Sequence, residues 1–296
     1  MTKSLTLLFY TFLLLSNFSN AQGLQEDRRW KENHALEVKI LDEFIDRFNK
    51  DTNSVFLQNL KEIYNGRLPL RTSLVKSLFD RKQSWDTLLV KNFSLTVTKR
   101  GAPRFIHFAD NDWYAHVRCK VNYLGKPKQM ELILKVEEGI NHSTKWVIVS
   151  AMADFLNFKY PKSGTQVPMP RLCGSDLRDP QNQTTVFLDP MSHGTNFINL
   201  HQAFEEPDNF KDYLYEGPLT EQMQLLIKLV KSKSVKFEYV QHISYHFLQI
   251  PGYIMVVEYF NRNSRNSGWL ISNLLQVSYR SKPVYKKQFL NVLQDE

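Results

Sequence analysis

Residues 113–121 read Trp-Tyr-Ala-His-Val-Arg-Cys-Lys-Val, which sets Trp113, Ala115, Val117, Cys119 and Val121 on one side and Tyr114, His116, Arg118 and Lys120 on the other. A period of two with one apolar side is the signature of a strand buried on one face. A turn at Gly125-Lys126-Pro127 follows, and Met130, Leu132, Leu134 and Val136 resume the alternation. The two runs are expected to pair as an antiparallel hairpin.

Upstream of this hairpin the spacing is helical. Leu36, Ile40, Leu41, Phe44, Ile45 and Phe48 form one stripe that Asn33 is placed to cap. A second helix is expected over Asn53 to Tyr64, burying Phe56, Leu57, Leu60 and Ile63 and ended by Gly66. Thr72 is placed to cap a third, whose expected core face is Leu74, Val75, Leu78 and Phe79. After Trp85 the period reads as two, with Phe93, Leu95 and Val97 alternating with polar residues, then Phe105 to Phe108, the hairpin, and Trp146 to Ala153. The first unit therefore reads as three helices followed by four or five antiparallel strands.

Downstream, residues 161–190 hold five of the twelve prolines and almost no periodicity, which marks a linker with room for a short strand at Thr185 to Leu188. Helical spacing returns at Thr195 with Phe197, Ile198, Leu200 and Phe204, breaks at Pro207, and restarts at Asp208 and at Thr220, where Met223, Leu226, Ile227 and Val230 form the core face. Strands are expected at Val235 to Val240, Ile243 to Gln249, Tyr253 to Phe260 and Trp269 to Val277. The offset that lays Trp113 on Tyr253 also lays Leu89-Val90-Lys91 on Leu229-Val230-Lys231 and Val117 on Val257, so the second half reads as a degenerate copy of the first.

The amino terminus has the layout of an export signal: Lys3 as charged start, Leu5 to Leu15 as apolar core, Ser19-Asn20-Ala21 as small-residue cleavage site. The mature chain is expected to begin at Gln22, in the periplasm or outside the cell. No later run is long and apolar enough to span a bilayer. The expected organisation is signal peptide 1–21, first α+β domain 22–160, Pro-rich linker 161–193 and second α+β domain 194–296. The formal charge is +8, but its basic residues are spread along the chain, which points to a solvated surface rather than a nucleic-acid groove. Polyanion binding remains a third functional alternative, distinguished by a contiguous basic face and a steep salt dependence.

Helices at Asn53 and Thr72, the leading helix with Phe44-Ile45-Asp46-Arg47-Phe48-Asn49, and the late hairpin through Trp113 and Met130 together resemble the nuclear transport factor 2-like (NTF2-like) cone fold. The resemblance covers about residues 31–156 and again 194–290. It implies two α+β cones, each with a mouth between helices and a curved antiparallel sheet that holds a small ligand, an acid-base pair or packed side chains. Extracytoplasmic members often serve as binding or assembly modules.

Candidate chemistry is sparse. His107, Asp112 and Trp113 stand together before the first long strand and would form a ligand site, with isomerase- or hydrolase-like chemistry, if they converged in a cone mouth. Turn chemistry at Asp110-Asn111-Asp112 is the competing reading. Tyr114, His116, Arg118 and Lys120 form a polar strand face suited to a partner or an anion, or simply to water. His242 and His246 share a strand face, yet no third ligand accompanies them, so no metal or other cofactor is expected. Cys119 and Cys173 are the only cysteines, and a bridge between them would contribute on the order of 4 kcal/mol. The sequence holds no glycine-rich phosphate loop, no Gly-x-Ser-x-Gly elbow and no Cys paired with a plausible catalytic partner. The leading expectation is an exported, non-enzymatic binding or assembly protein of the cell envelope with a protein partner. A small-molecule pocket in the first cone is the alternative.

Overall fold

The computed structural model describes residues 36–138, 143–157, 188, 197 and 199–292. The expected signal peptide, Cys173 and nearly all of the Pro-rich linker lie outside them. The fold is mixed α+β: helices α1 (Leu41–Asn49), α2 (Val55–Ile63), α3 (Arg71–Ser77) and α4 (Thr87–Val97) precede strands β1 (Trp113–Tyr123), β2 (Lys126–Glu138) and β3 (Thr144–Met152). Helices α5 (Leu200–Glu205) and α6 (Glu221–Lys231) precede β4 (Val235–Phe247), β5 (Tyr253–Phe260) and β6 (Gly268–Gln276), and α7 (Ser281–Phe289) closes the described chain. All six strands belong to one sheet of order β3-β2-β1-β4-β5-β6. Each half supplies three consecutive strands, and the sheet order relates β1 to β4, β2 to β5 and β3 to β6. The offset read from the sequence instead lays β1 on β5.

Two compact units are built from this chain: Met1–Lys82 with Phe260–Leu270, and Gln83–Tyr259 with Ile271–Glu296. In the first, Leu57, Leu60 and Leu74 pack together with Leu36, Ile63 and Leu68. Ser54 caps α2 by accepting from the Phe56 N–H, as its place at the helix start requires. A buried Glu43–Arg47 pair one turn apart on α1 is tied further by Arg47 Nη1 donating to the Leu36 carbonyl at 2.7 Å. Asp80 and Arg262 form a bidentate pair at 2.5 and 2.9 Å. The turn carrying Arg262 is braced by Asn266 Nδ2 donating to the Phe79 carbonyl and by Val38 bonding on both sides of Gly268.

In the second unit the two runs pair as an antiparallel hairpin, as expected, with Ala115, Val117 and Cys119 opposite Leu134, Leu132 and Met130. Its turn is Leu124-Gly125, one residue earlier than expected. Both residues have positive φ, 51° and 81°, the geometry of a tight type I′ connection. The apolar face carries the core: Trp113 stacks on Phe247 at 5.1 Å and meets Trp146 edge-on at 4.9 Å. Trp146 in turn meets Phe197.

Two strands expected from the sequence are not strands. Phe93, Leu95 and Val97 belong to α4, which buries Phe93, Ser94 and Val97 and leaves Leu95 out. Asp86 caps the helix, and the hydroxyls of Ser94, Thr96 and Thr98 each donate to the carbonyl four residues back, which accommodates residues that otherwise favour strands. Phe105 to Phe108 is a loop. There the Gln249 side-chain amide bonds both the N–H and the carbonyl of His107, doing for one residue what a partner strand would do. The break expected between Val240 and Ile243 is not a turn but a bulge within a continuous β4.

Candidate functional site

The polar side of β1 is where the structure gathers chemistry. His116 faces Ser244 and Arg118 faces His242 across the β1–β4 ladder, while Ser244 and His246 face Glu258 and Val256 on β5. On the other flank Arg118 faces Glu131 of β2. Alternation therefore brings three histidines, two carboxylates and a guanidinium onto one sheet face.

Helix α7 covers one end of that face. Tyr285 and Leu290 pack with Tyr114, Ile133, Leu248 and Ile254, and Pro283 sits in the first turn, where a missing N–H costs nothing. Polar ties hold the helix down. Lys282 Nζ donates to the carbonyls of Leu248 and Ile250, Lys286 Nζ pairs with Asp112 at 2.6 Å, and the Tyr285 hydroxyl lies 2.7 Å from His246 Nδ1. The uncovered remainder is a hollow of about 1070 Å³, lined by the sheet face, by Gln83 and by Tyr285 and Phe289 of α7.

The bulge in β4 shapes this hollow. Arg118 pairs with His242 and Cys119 with Val240, so Gln241 is the extra residue. In an unbroken strand Gln241 and His242 would point to opposite faces; here both line the hollow.

His246 lies on its floor, 8% exposed. Its Nε2 is 3.0 Å from Ser244 Oγ, so the imidazole joins two hydroxyls in a chain. Either Tyr285 donates to Nδ1 and Nε2–H donates to Ser244, or both bonds run the other way. Burial, helped by the charge of His116 and opposed by Glu258, lowers the His246 pKa to about 3, so the ring is neutral. Burial also pushes the Tyr285 phenol up to about 12, which keeps it protonated. The flanking histidines each hold a carboxylate: His116 Nε2 to Glu131 Oε2 at 3.0 Å, His242 Nε2 to Glu258 Oε1 at 2.8 Å. The His242 contact is the main reason that Glu258 titrates below the usual carboxylate range, against its own burial.

The residues singled out in the sequence separate. His116 and Arg118 line the hollow. Tyr114 is buried beneath α7 and Lys120 stands further along β1 on the same face. His107, Asp112 and Trp113 are not among the lining residues. His107 is exposed on its loop, Asp112 faces Lys286, and Trp113 is fully buried in the aromatic core with Nε1 donating to the Phe108 carbonyl. Cys119 is a buried free thiol whose pKa is raised by burial. Among the described residues no three of His, Cys, Asp or Glu are placed to hold a metal ion, and no helix is long and apolar enough to cross a membrane. Ser244, Glu258, Gln241 and Tyr285 went unnoticed in the sequence. The alternation through His116 and Arg118 and the His242–His246 spacing were the local signals of this face, and a Tyr285–Phe289 pair one turn apart after Pro283 was the signal of α7.

No known protein family, curated protein or solved structure matches this chain.

Proposed function

We propose that this is a binding protein whose ligand occupies the hollow on the His246 face of the sheet. The observation that carries this is the buried imidazole of His246 held between Ser244 and Tyr285 on the floor of the hollow. A sheet face that merely meets water has no need of buried, mutually bonded polar groups. Export and a place in the cell envelope belong to the same proposal and rest on the amino-terminal segment, as does an assembly role with a protein partner. The likeness of each half to an NTF2-like cone is proposed with it, supported by helices preceding three consecutive antiparallel strands in each half.

Acid-base chemistry in the same hollow is a second reading, favoured by the Ser244–His246–Tyr285 chain. Magnitude decides against it. A general base works best with a pKa near the operating pH, and a conjugate acid of about 3 leaves His246 a weak base at neutrality.

A thermal-shift screen of the purified protein against polar metabolites tests the proposal, with Gln129→Ala and Asn273→Ala as site probes. Hits that vanish in both variants support it. Hits indifferent to both would place the ligand elsewhere and defeat it. Mass spectrometry of the exported protein should find a chain starting at Gln22.

A further inference from the structure

We infer that the ligand of this hollow is an uncharged, hydroxyl-rich molecule, a neutral oligosaccharide; this rests on the binding role proposed above and concerns only the chemistry of what binds. The charges around the cavity are already answered within the protein. Glu258 is held by His242, and Glu131 by His116 at 3.0 Å and Arg118 at 3.7 Å. An anionic ligand would approach these carboxylates and a cationic one would approach Arg118, so neither sign is complemented.

What stays available is bidirectional. The side-chain amides of Gln83, Gln129, Gln241 and Asn273 each carry donors and an acceptor. A sugar hydroxyl is likewise donor and acceptor at once, so a wall of amides can satisfy it in either sense. Carboxylic or ammonium ligands would leave half of these groups facing the wrong way.

Sugars also have apolar C–H faces, and the rim supplies a surface for one. Phe289 is 62% exposed although it belongs to a helix that is otherwise tied to the sheet. Its ring lies on that of Tyr285, centroids 4.9 Å apart and planes 22° from parallel, so it is held in place before any ligand arrives. Leu275 extends the same apolar edge. The hollow, about 1070 Å³, lies just above the roughly 300–1,000 Å³ that accommodates a drug-sized ligand, which suits a short oligosaccharide better than a single ring.

The test is a glycan array carrying neutral and acidic oligosaccharides, probed with the full protein, followed by calorimetry on any hit. Phe289→Ala and Gln129→Ala are compared with wild type, and their thermal midpoints are measured to show that both fold. Binding of a neutral glycan that weakens about tenfold or more in each variant supports the inference. Acidic glycans bound in preference to neutral ones, with the same sensitivity to both substitutions, would overturn the ligand class and leave the hollow as a binding site. If no glycan binds while a charged metabolite from the thermal-shift screen does so at the hollow, the class is likewise overturned. Glycan binding indifferent to both substitutions would overturn the class and the site together.

Discussion

The Tyr285 hydroxyl of α7 and the His246 imidazole of the central strand β4 lie 2.7 Å apart, so a polar contact ties the helix to the buried floor of the hollow. Burial of this neutral ring has a pH signature. Its pKa, about 3 in the folded state, lies below the unfolded value near 6.5, so between these limits the unfolded chain binds the extra proton. Stability is unaffected by this group above about pH 6.5 and falls by up to about 1.4 kcal/mol per pH unit as the pH drops toward 3. His246→Phe should flatten that part of a pH series of denaturant melts. In wild type the His246 ring resonances should stay constant from pH 8 to pH 5, and a midpoint near 6.5 would contradict its burial. Tyr285→Phe should cost about 1 kcal/mol or somewhat more, since it leaves a buried ring nitrogen without its partner.

Deleting Gln241 is expected to preserve the fold. It is the unpaired residue of a bulge, and its removal leaves His242 opposite Arg118 and Val240 opposite Cys119, the pairs already present. Circular dichroism should be unchanged, while binding at the hollow should weaken about tenfold through loss of an amide that only the bulge turns inward. A deletion variant that fails to fold would show that the bulge is required for the twist of the sheet.

Asp80 and Arg262 set up an opposite-sign test in the first unit. The Arg262 guanidinium holds the Asp80 carboxyl below its usual value, so the contribution is present above the unfolded value of about 3.9 and is lost as pH falls through the folded one. Asp80→Asn should cost about 3 kcal/mol at neutral pH, at the low end for a buried pair because the guanidinium keeps some contact with water. The difference from wild type should shrink progressively as pH falls below about 3.9, measured by urea melts.

Gly268 has φ of +88°, and a Cβ built there would sit 2.0 Å from the Val38 carbonyl oxygen. Gly268→Ala should therefore destabilise by about 2–3 kcal/mol, from backbone strain plus loss of the Val38 bonds. Ala at Gly66, which also has positive φ but open space around it, should cost about 1 kcal/mol. Equal costs at the two sites would rule out the close approach as the cause.

Local pattern was enough for the β1–β2 hairpin and for the stripes of α1, α2, α3 and α6, because there the side-chain period alone decides what is buried. It misled at residues 93–97, where Ser and Thr in alternation look like a strand until their hydroxyls are seen to bond carbonyls one turn back. At His107 and Asp112 adjacency in sequence suggested a site, but tertiary contacts set the two apart: Gln249 holds the His107 backbone and leaves its ring exposed, while Asp112 faces Lys286.

By itself, then, the sequence determined the α+β class, the polar face of β1 and the pairing of His242 with His246 on one strand side. Only the tertiary structure decided that β1 and β4 are neighbours, since strand order follows from non-local pairing that no local period encodes. That pairing sets the His116 ring beside that of His246 and Arg118 opposite His242, the β4–β5 pairing sets Glu258 opposite Ser244, and a bulge adds Gln241. The hollow is thus a product of register: each residue's face is written locally, but its companions are chosen by which strand lies alongside.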